Sequence, residues 1–534
     1  MEKNNKYQVT DYAGKLAKGF LRNPLTAVLG VFLLLMGYLA LNIMPREEDP
    51  QIAISGGGVV VVMPGATPKE IENIIINPLE RKLREVKGIE HIYGQAFNNY
   101  GIVSVMYYIG ENREDSNLKL YDKVMQNMDQ MPQGVKQPLI KPFDIDIDIP
   151  ILSVAFYAKD KQVDDVKLFQ IIRRLQQKIN AIGNVAKTTL KGARKAQYNI
   201  EVDIGKLSAY HLSLGQIMKS VQSVAVDVPD VKGRTRDNKL VIFGVKNAIE
   251  SVADVGSVIV AQYMGSPIYL RDVAKVTEGV DIQNFKTAQV RFKEKKEEKV
   301  LGKERSQITL SISKLAGTNA VFVADDVLEV LKEHEAELSK EGVGYLVTRN
   351  YGERADEAVN ELMSHLLITI VIIALMLVFA LGWKESLIVT FTVPAILAIT
   401  LFIAWLTGQT INRITLFAFL LSLGLLVDAA IIVIENIHRH LHAHDIDSKE
   451  MDELLVEATD EIGAPTNVAT LAIILTMVPM AFVGGMMGSF MKPIPLNVPV
   501  ALIASLFVAY IFTPYLSLKL LKKPKHKHPK GGEK

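Results

Sequence analysis

Six apolar runs constrain this chain more than any other feature. Each is long enough to cross about 30 Å of hydrocarbon at about 1.5 Å per helical residue. The first, PLTAVLGVFLLLMGYLALNIM, covers residues 24–44; the other five crowd the C-terminal end at roughly 365–381, 387–407, 414–434, 468–488 and 497–517. Backbone polar groups in hydrocarbon must be satisfied within their own segment, so six such runs predict spanning helices rather than buried helices of a soluble core. The first run is too long for a signal-peptide core and no small-residue cleavage site follows it, which makes it an uncleaved anchor. The expected fold is an α-helical membrane bundle of six spans, arranged 1+5, with a large α+β domain between the first span and the rest. In residues, this gives a first helix at 24–45, a water-exposed domain at 46–360 and a five-helix bundle at 361–518.

Short-loop charge sets the orientation. Lys15, Lys18 and Arg22 precede the first span, Lys384 lies between the second and third, and the chain closes on KLLKKPKHKHPKGGEK. The positive-inside rule places these on the cytoplasmic side. The segment 1–23, the basic tail 519–534 and a loop near 435–466 carrying His438, Arg439, His440, His442 and His444 are then cytoplasmic. The histidines and the KHKH of the tail read as positive-inside charge attracted to anionic lipid rather than as metal ligands. The large domain lies on the opposite side, the periplasm of a Gram-negative cell, and the protein is an inner-membrane, multi-pass one.

Several function classes are unsupported. A net charge of +2 over 534 residues gives no basic excess for nucleic acid. The absence of cysteine removes disulfides, thiolate metal sites and cysteine nucleophiles. Gly14, Gly205 and Gly302 each precede a lysine, but Leu, Leu and Glu follow, so no phosphate-binding loop of the G-x-x-x-x-G-K-[ST] type is present. No HExxH, GxSxG or kinase signature occurs. The chain reads as a non-enzyme without a cofactor or resident metal.

Strand–helix–strand units recur in the large domain. ISGGGVVVVMPG predicts a strand ending at a Pro-Gly turn, and Thr67, Pro68 and Glu70 form a helix start with a capping box. Helices on one face of short strands suggest ferredoxin-like βαβ subdomains, a fold that is mute about function. DIDIDIP, Asp144 to Pro150, is expected as an extended, solvated edge with three aspartates on one face. The run FKEKKEEKVLGKER from Phe292 is expected as a solvated loop or edge hairpin.

Carboxylates stand where they cost most in GLLVDAAIIVIENI, Gly424 to Ile437. An aspartate at a helix centre costs about 2.5–3.5 kcal/mol to insert, and such residues mark ion or proton paths. Asp428 is the candidate proton-translocation residue, because a carboxyl poised between burial and a nearby cation can load and release a proton. Glu435, seven residues on and nearly on the same face, is a secondary candidate at the membrane interface. Gly424, four residues before Asp428, removes bulk where another helix can approach closely.

These residues carry a family resemblance. FLRNPLTAVLGVFLLLMGYLALNIMPREEDPQI, MPGATPKEIENIIINPLERKLREVKGI, SPIYLRDVAKVTEG, AGTNA, GQTINRITLFAFLLSLGLLVDAAIIVIENI and FTPYLSLKLL occur in family order over nearly the whole chain. Together they resemble the N-terminal half of a resistance–nodulation–division (RND) efflux permease. The resemblance implies a proton-driven, normally trimeric exporter of amphiphilic or toxic small compounds. A periplasmic adaptor and an outer-membrane channel would be its partners. It also implies two porter subdomains with an inserted docking piece near 205–275.

Two departures qualify the resemblance. Drug-exporting members carry two adjacent aspartates where this chain has Asp428 and Ala429, and members similar to metal-ion exporters have one Asp before a small residue. The methionines at 480, 486, 487 and 491 read as packing or lipid-facing residues. The family's Asp on this helix pairs with a Lys from the second half, and the six spans as drawn contain no such Lys. The leading reading is one half of a split permease, completed by a C-terminal half-permease. The alternatives are a homo-oligomeric half-transporter, a heavy-metal efflux half-permease and a non-transporting assembly or docking remnant.

Overall fold

The computed structural model describes residues 7–52, 54–132, 134–159, 163–224, 231–243, 249, 251–281, 288–293, 300–442 and 450–521. The chain opens with a short helix, α1 (Tyr12–Phe20), and the first long apolar helix, α2 (Leu25–Ile43). The segment expected as a plain cytoplasmic lead-in is therefore folded. Asp11 caps α1 by accepting from the Tyr12 amide at 2.7 Å.

The first sheet unit runs β1 (Ser55–Val62), α3 (Pro68–Ile71), a π turn over Glu72–Ile76, α4 (Asn77–Leu83), β2 (Ile89–Phe97), β3 (Tyr100–Tyr107), α5 (Arg113–Gln126) and β4 (Leu139–Asp144). The capping box is formed: the Glu70 amide donates to Thr67 Oγ1 and Glu70 Oε2 accepts from the Thr67 amide. The helix widens just ahead of Pro78, whose missing N–H cannot serve the carbonyl four residues back. The strands lie in the order β2-β3-β1-β4, all neighbours antiparallel. Val59, Val61, Val103 and Val105 bury one sheet face against Ile71, Leu79 and Leu120 of the helices.

DIDIDIP departs from expectation. Only Asp144 is in a strand; α6 (Ile145–Asp148) is one helical turn, so the three aspartates do not share an extended face. The Asp144 carboxylate is buried and paired with Arg113 at 2.7 Å, while Asp148 accepts from the Asp144 amide at 3.0 Å and from Lys187 at 2.7 Å. Two cations and a backbone amide make a compact turn cheaper here than a row of solvated charges.

A second unit repeats the plan: β5 (Leu152–Ala158), α7 (Asp165–Asn180) and β6 (Val185–Lys191). An insertion follows, comprising β7 (Ala196–Val202), α8 (Ile204–Ala209), α9 (Leu214–Val224), β8 (Val231–Arg234), β9 (Leu240–Phe243), α10 (Val252–Gly256), β10 (Ile259–Tyr263), β11 (Ser266–Tyr269), α11 (Leu270–Val273) and β12 (Ala274–Val280). It has its own core around Leu207, Ile217, Val258 and Leu270, and β7 pairs with β12 where it begins and ends. The unit then resumes with β13 (Ala288–Lys293), β14 (Val300–Lys314), α12 (Ala320–Glu333), α13 (Glu335–Lys340) and β15 (Val343–Asn350). Along β14, β13 pairs over the first half and β6 over the second, and β5 lies between β14 and β15. The flanks of the Phe292 run thus form a hairpin; residues 294–299 lie outside the described residues.

Five further long helices close the chain: α14 (Tyr351–Ala380), α15 (Trp383–Leu406), α16 (Arg413–Leu441), α17 (Met451–Ala481) and α19 (Pro493–Leu520), the last preceded by the short α18 (Gly485–Met491). With α2, this makes six helical stretches long and apolar enough to cross a membrane. Two expected boundaries move. The fifth apolar run does not continue as one helix to residue 488, because the helix stops at Ala481 and Gly485, the first residue of α18, takes φ +72°. The stretch 435–466 is mostly helix rather than loop, since α16 runs on to Leu441 and α17 starts at Met451; His444 lies outside the described residues.

Candidate functional site

The sequence of α16 sorts its residues onto two faces. Leu423, Leu426, Val427, Ala430, Val433, Ile434 and Ile437 recur at helical spacing, and all are buried in the bundle core. The opposite stripe is open: Phe417 and Leu421 are 52% and 44% exposed, and Gly424, Asp428 and Glu435 follow on the same exposed line. Asp428 is 15 residues from Arg413 and 13 from Leu441, so it sits mid-helix, about 20 Å from each end. Among the described residues no cation or hydrogen-bond donor pairs with its carboxylate.

Gly424 lies on that stripe, and a Cβ built there would meet nothing within 4 Å. Nothing among the described residues uses the close approach that this glycine permits. Ala429, the neighbour of Asp428, is turned the other way and is 5% exposed within the core cluster. An acid at 429 would therefore enter the chain's own apolar core, whereas Asp428 faces outward. Glu435 is six residues from the end of α16 and lines an open cavity of about 400 Å3 with Asn436, His438 and Arg439.

Beyond Glu435, the end of α16 is tied to α17. Asn436 Nδ2 donates to the Ala458 carbonyl at 2.7 Å and to Glu461 at 3.1 Å; Arg439 and His440 both reach Glu461 at 2.8 Å. His438 packs against His442 in a tilted ring pair with centroids 4.2 Å apart and faces Glu385 at 3.4 Å. Among the described residues, no group of three or more His, Asp or Glu side chains is placed to hold a metal ion.

At its other end α16 is anchored to the segment that joins α2 to the sheets. The Ile411 amide donates to the Pro45 carbonyl, the Glu47 amide to the Ile411 carbonyl, and the Arg413 amide to the Glu48 carbonyl, at 2.9, 2.9 and 3.2 Å. Arg413 also pairs with Glu48 and Asp49. From this joint Glu47 forms an ion pair with Lys314 at the end of β14, and the Ala320 amide that opens α12 donates to the Arg46 carbonyl at 3.1 Å. The helix bearing Asp428 is thus connected through one short segment to the second sheet.

A buried acid that the sequence pattern did not single out accepts four hydrogen bonds from the start of the chain. Asp460 of α17, 3% exposed, accepts from Tyr7 Oη, the Thr10 amide, Thr10 Oγ1 and the Asp11 amide, all at 2.8 Å. Gly14 and Gly463 make this possible: a Cβ on Gly14 would meet Asp460 Oδ1 at 2.3 Å and one on Gly463 would meet Asp11 Oδ2 at 2.1 Å. Burial and the adjacent Asp460 push the Tyr7 hydroxyl up to about 12. The available signal was a Thr-Asp pair whose acid stands three residues before a glycine, present in both EATDEIG and TDYAG.

A family model described as AcrB/AcrD/AcrF matches residues 16–532. Among curated proteins, the chain is similar to the toluene efflux pump membrane transporter TtgB of Pseudomonas putida, 26% identical over 534 aligned residues that cover 97% of this chain and 49% of the relative. It is similarly related to the multidrug/solvent efflux pump membrane transporter MepB of Pseudomonas putida, at 26% identity with the same coverage. A third relative is the toluene efflux pump membrane transporter TtgE of the same species, 25% identical over 536 residues, again covering 97% of this chain and 49% of the relative. The chain spans about half the length of the curated relatives it matches.

Proposed function

The chain belongs to the AcrB/AcrD/AcrF family, and we propose from that premise that it is a half-permease exporting small amphiphilic or toxic compounds at the expense of the proton gradient. The observation that carries the reading is the open stripe on α16. An ionisable side chain at mid-span, with no partner among the described residues of its own chain, is costly against lipid and calls for a covering helix. A second half-length unit that brings a lysine to this face would meet the charge. It would also use the close approach that Gly424 leaves free. Our reading is a split permease, the covering unit coming from a second polypeptide, with further copies of this chain as the alternative source.

In this mechanism Asp428 holds a proton on one side of the membrane and releases it to the other. Paired with a cation it is charged; protonated, it lets the cation go. The pairing draws α16 toward the covering unit and release relaxes it. Because α16 is hydrogen-bonded at its start to residues 45–48, its movement pulls on Glu47 and hence on Lys314 of the second sheet. A proton step in the bundle becomes a movement of the sheet domain, as a two-state element biased from both ends requires.

The remaining parts of the reading rest on the same premise. The first sheet unit has a βαββαβ order and the second follows it with one added strand, β13, the insertion of β7 to β12 lying between β6 and β13; this supports two ferredoxin-like porter subdomains and an inserted docking piece near 205–275. The sheets would lie in the periplasm and both termini in the cytoplasm, with one span before the domain and five after it. A trimer-like assembly would pass substrate to a periplasmic adaptor and an outer-membrane channel. The deciding experiment is Asp428→Asn, which keeps the shape and removes the protonatable group: export falls to background while folding and assembly are intact. Undiminished export by the Asn variant refutes the proton role. Native mass with and without a co-expressed second half separates the split permease from the homo-oligomer.

A further inference from the structure

We propose that the end of the bundle away from the sheets binds a phospholipid headgroup that carries both a phosphate and a primary ammonium, of the phosphoethanolamine class. The site is a cavity of about 280 Å3 between residues 7–9, the end of α1 and the start of α17. Its place follows from the topology: Ile43 leads into the sheets, so Leu25 and the residues before it stand at the far end, where α17 also begins.

The walls carry charges of both signs. Among the described residues, Lys18 and Arg22 supply two cations to the lining, and Glu450, Asp452 and Glu453 supply three carboxylates. Arg22 is already paired with Asp452, and Glu453 accepts from the Tyr7 amide at 2.7 Å. Lys18 and Glu450 are left, and among the described residues neither has an ion-pair partner. Among the described residues, a cation with no ion-pair contact and a carboxylate that acts on Arg22 only from beyond contact distance share one concavity, which suits a ligand with one phosphate and one ammonium. A headgroup with only negative charge would meet more carboxylates than cations among the described lining residues.

The rest of the cavity says that the ligand is a lipid. Leu21 and Val456 contribute apolar wall. The cavity stands beside the start of α2, whose outer side is apolar and exposed at Leu25, Val28 and Val31. Acyl chains can run down that side while the headgroup stays among the charges. The volume is just below the roughly 300–1,000 Å3 of pockets that enclose a drug-sized ligand, which fits a headgroup and not a whole lipid. Basic residues directly before a span are ordinarily read as attracting anionic lipid; the carboxylates opposite are what redirect the preference here.

The full chain, purified in detergent and placed in bilayers of equal acyl composition, tests this. Lipids retained on extraction are counted by native mass spectrometry, with thermal stabilisation as the second readout. Ethanolamine lipid is expected to be retained at least tenfold over the glycerol-headgroup lipid. Glu450→Gln should reduce that preference below threefold without changing stability in lipid-free detergent, and Lys18→Gln should weaken retention of both. Equal or greater retention of the glycerol lipid by the unaltered chain overturns the proposal, as does an unchanged preference in Glu450→Gln. Stabilisation by soluble phosphoethanolamine alone overturns the lipid assignment.

Discussion

Replacing Lys314 with methionine tests the joint between bundle and sheets. The Glu47 and Lys314 side chains are 5% and 7% exposed, so water screens neither charge. Without the ammonium, Glu47 Oε1 keeps the Gln51 amide at 2.6 Å, and Oε2 is a buried oxygen with no hydrogen-bond donor. A pair at about 4 Å in an effective dielectric near 20 attracts by about 4 kcal/mol, and breaking a buried pair by removing one partner costs about 3–5 kcal/mol. Lys314→Met is therefore expected to destabilise the sheet–bundle joint by about 3–5 kcal/mol. Glu47→Gln added to it should recover at least half, because the stranded charge is gone. Denaturant unfolding of the four proteins of this cycle gives the coupling, and hydrogen exchange at residues 45–52 and 314–320 locates it. Export should fall in both the single and the double variant, since the double restores stability without the link. A cost below about 1 kcal/mol for Lys314→Met, or full export by the double variant, refutes the joint as the mechanical connection.

Further outcomes follow from the same packing. Asp460→Ala removes the acceptor of four hydrogen bonds and should release residues 7–11 from α17 at a cost of about 2–4 kcal/mol, read as new protease cleavage ahead of α1. The Tyr7 hydroxyl is raised in the folded chain to about 12, so its contribution is complete below the unfolded value near 10 and is lost as pH climbs through about 12. Protection of the arm should decline over that window, and Tyr7→Phe should remove this pH dependence. Gly37→Val forces a side chain into Ala398, whose Cβ would be 2.3 Å from the new Cβ. It should cost about 1–3 kcal/mol by overpacking α2 against α15, measured as a lower midpoint of unfolding in detergent.

The sequence alone determined the spans, because the length of an apolar run is a one-dimensional property that hydrocarbon thickness reads directly. It also located Asp428 and Gly424 on one helical line, since a period of 3.6 residues needs no tertiary information. The capping box at Thr67 and the strand–helix alternation were legible for the same local reason. What lies across that line from α16 was not, because which face of a helix is covered depends on neighbours far away in sequence. Only the tertiary structure showed that Asp428 and Gly424 look outward while Ala429 looks into the core. The period-two pattern of DIDIDIP fits a strand, and only Arg113 and Lys187, brought from α5 and β6, favour the turn. Asp460 carries only the short EATDEIG pattern as a local signal, since the four donors that define its role are some 450 residues away. The Glu47–Lys314 pair spans the bundle and the sheet domain in the same way. Local periodicity fixes what an element is; long-range contact fixes which of its charges are met, and by what.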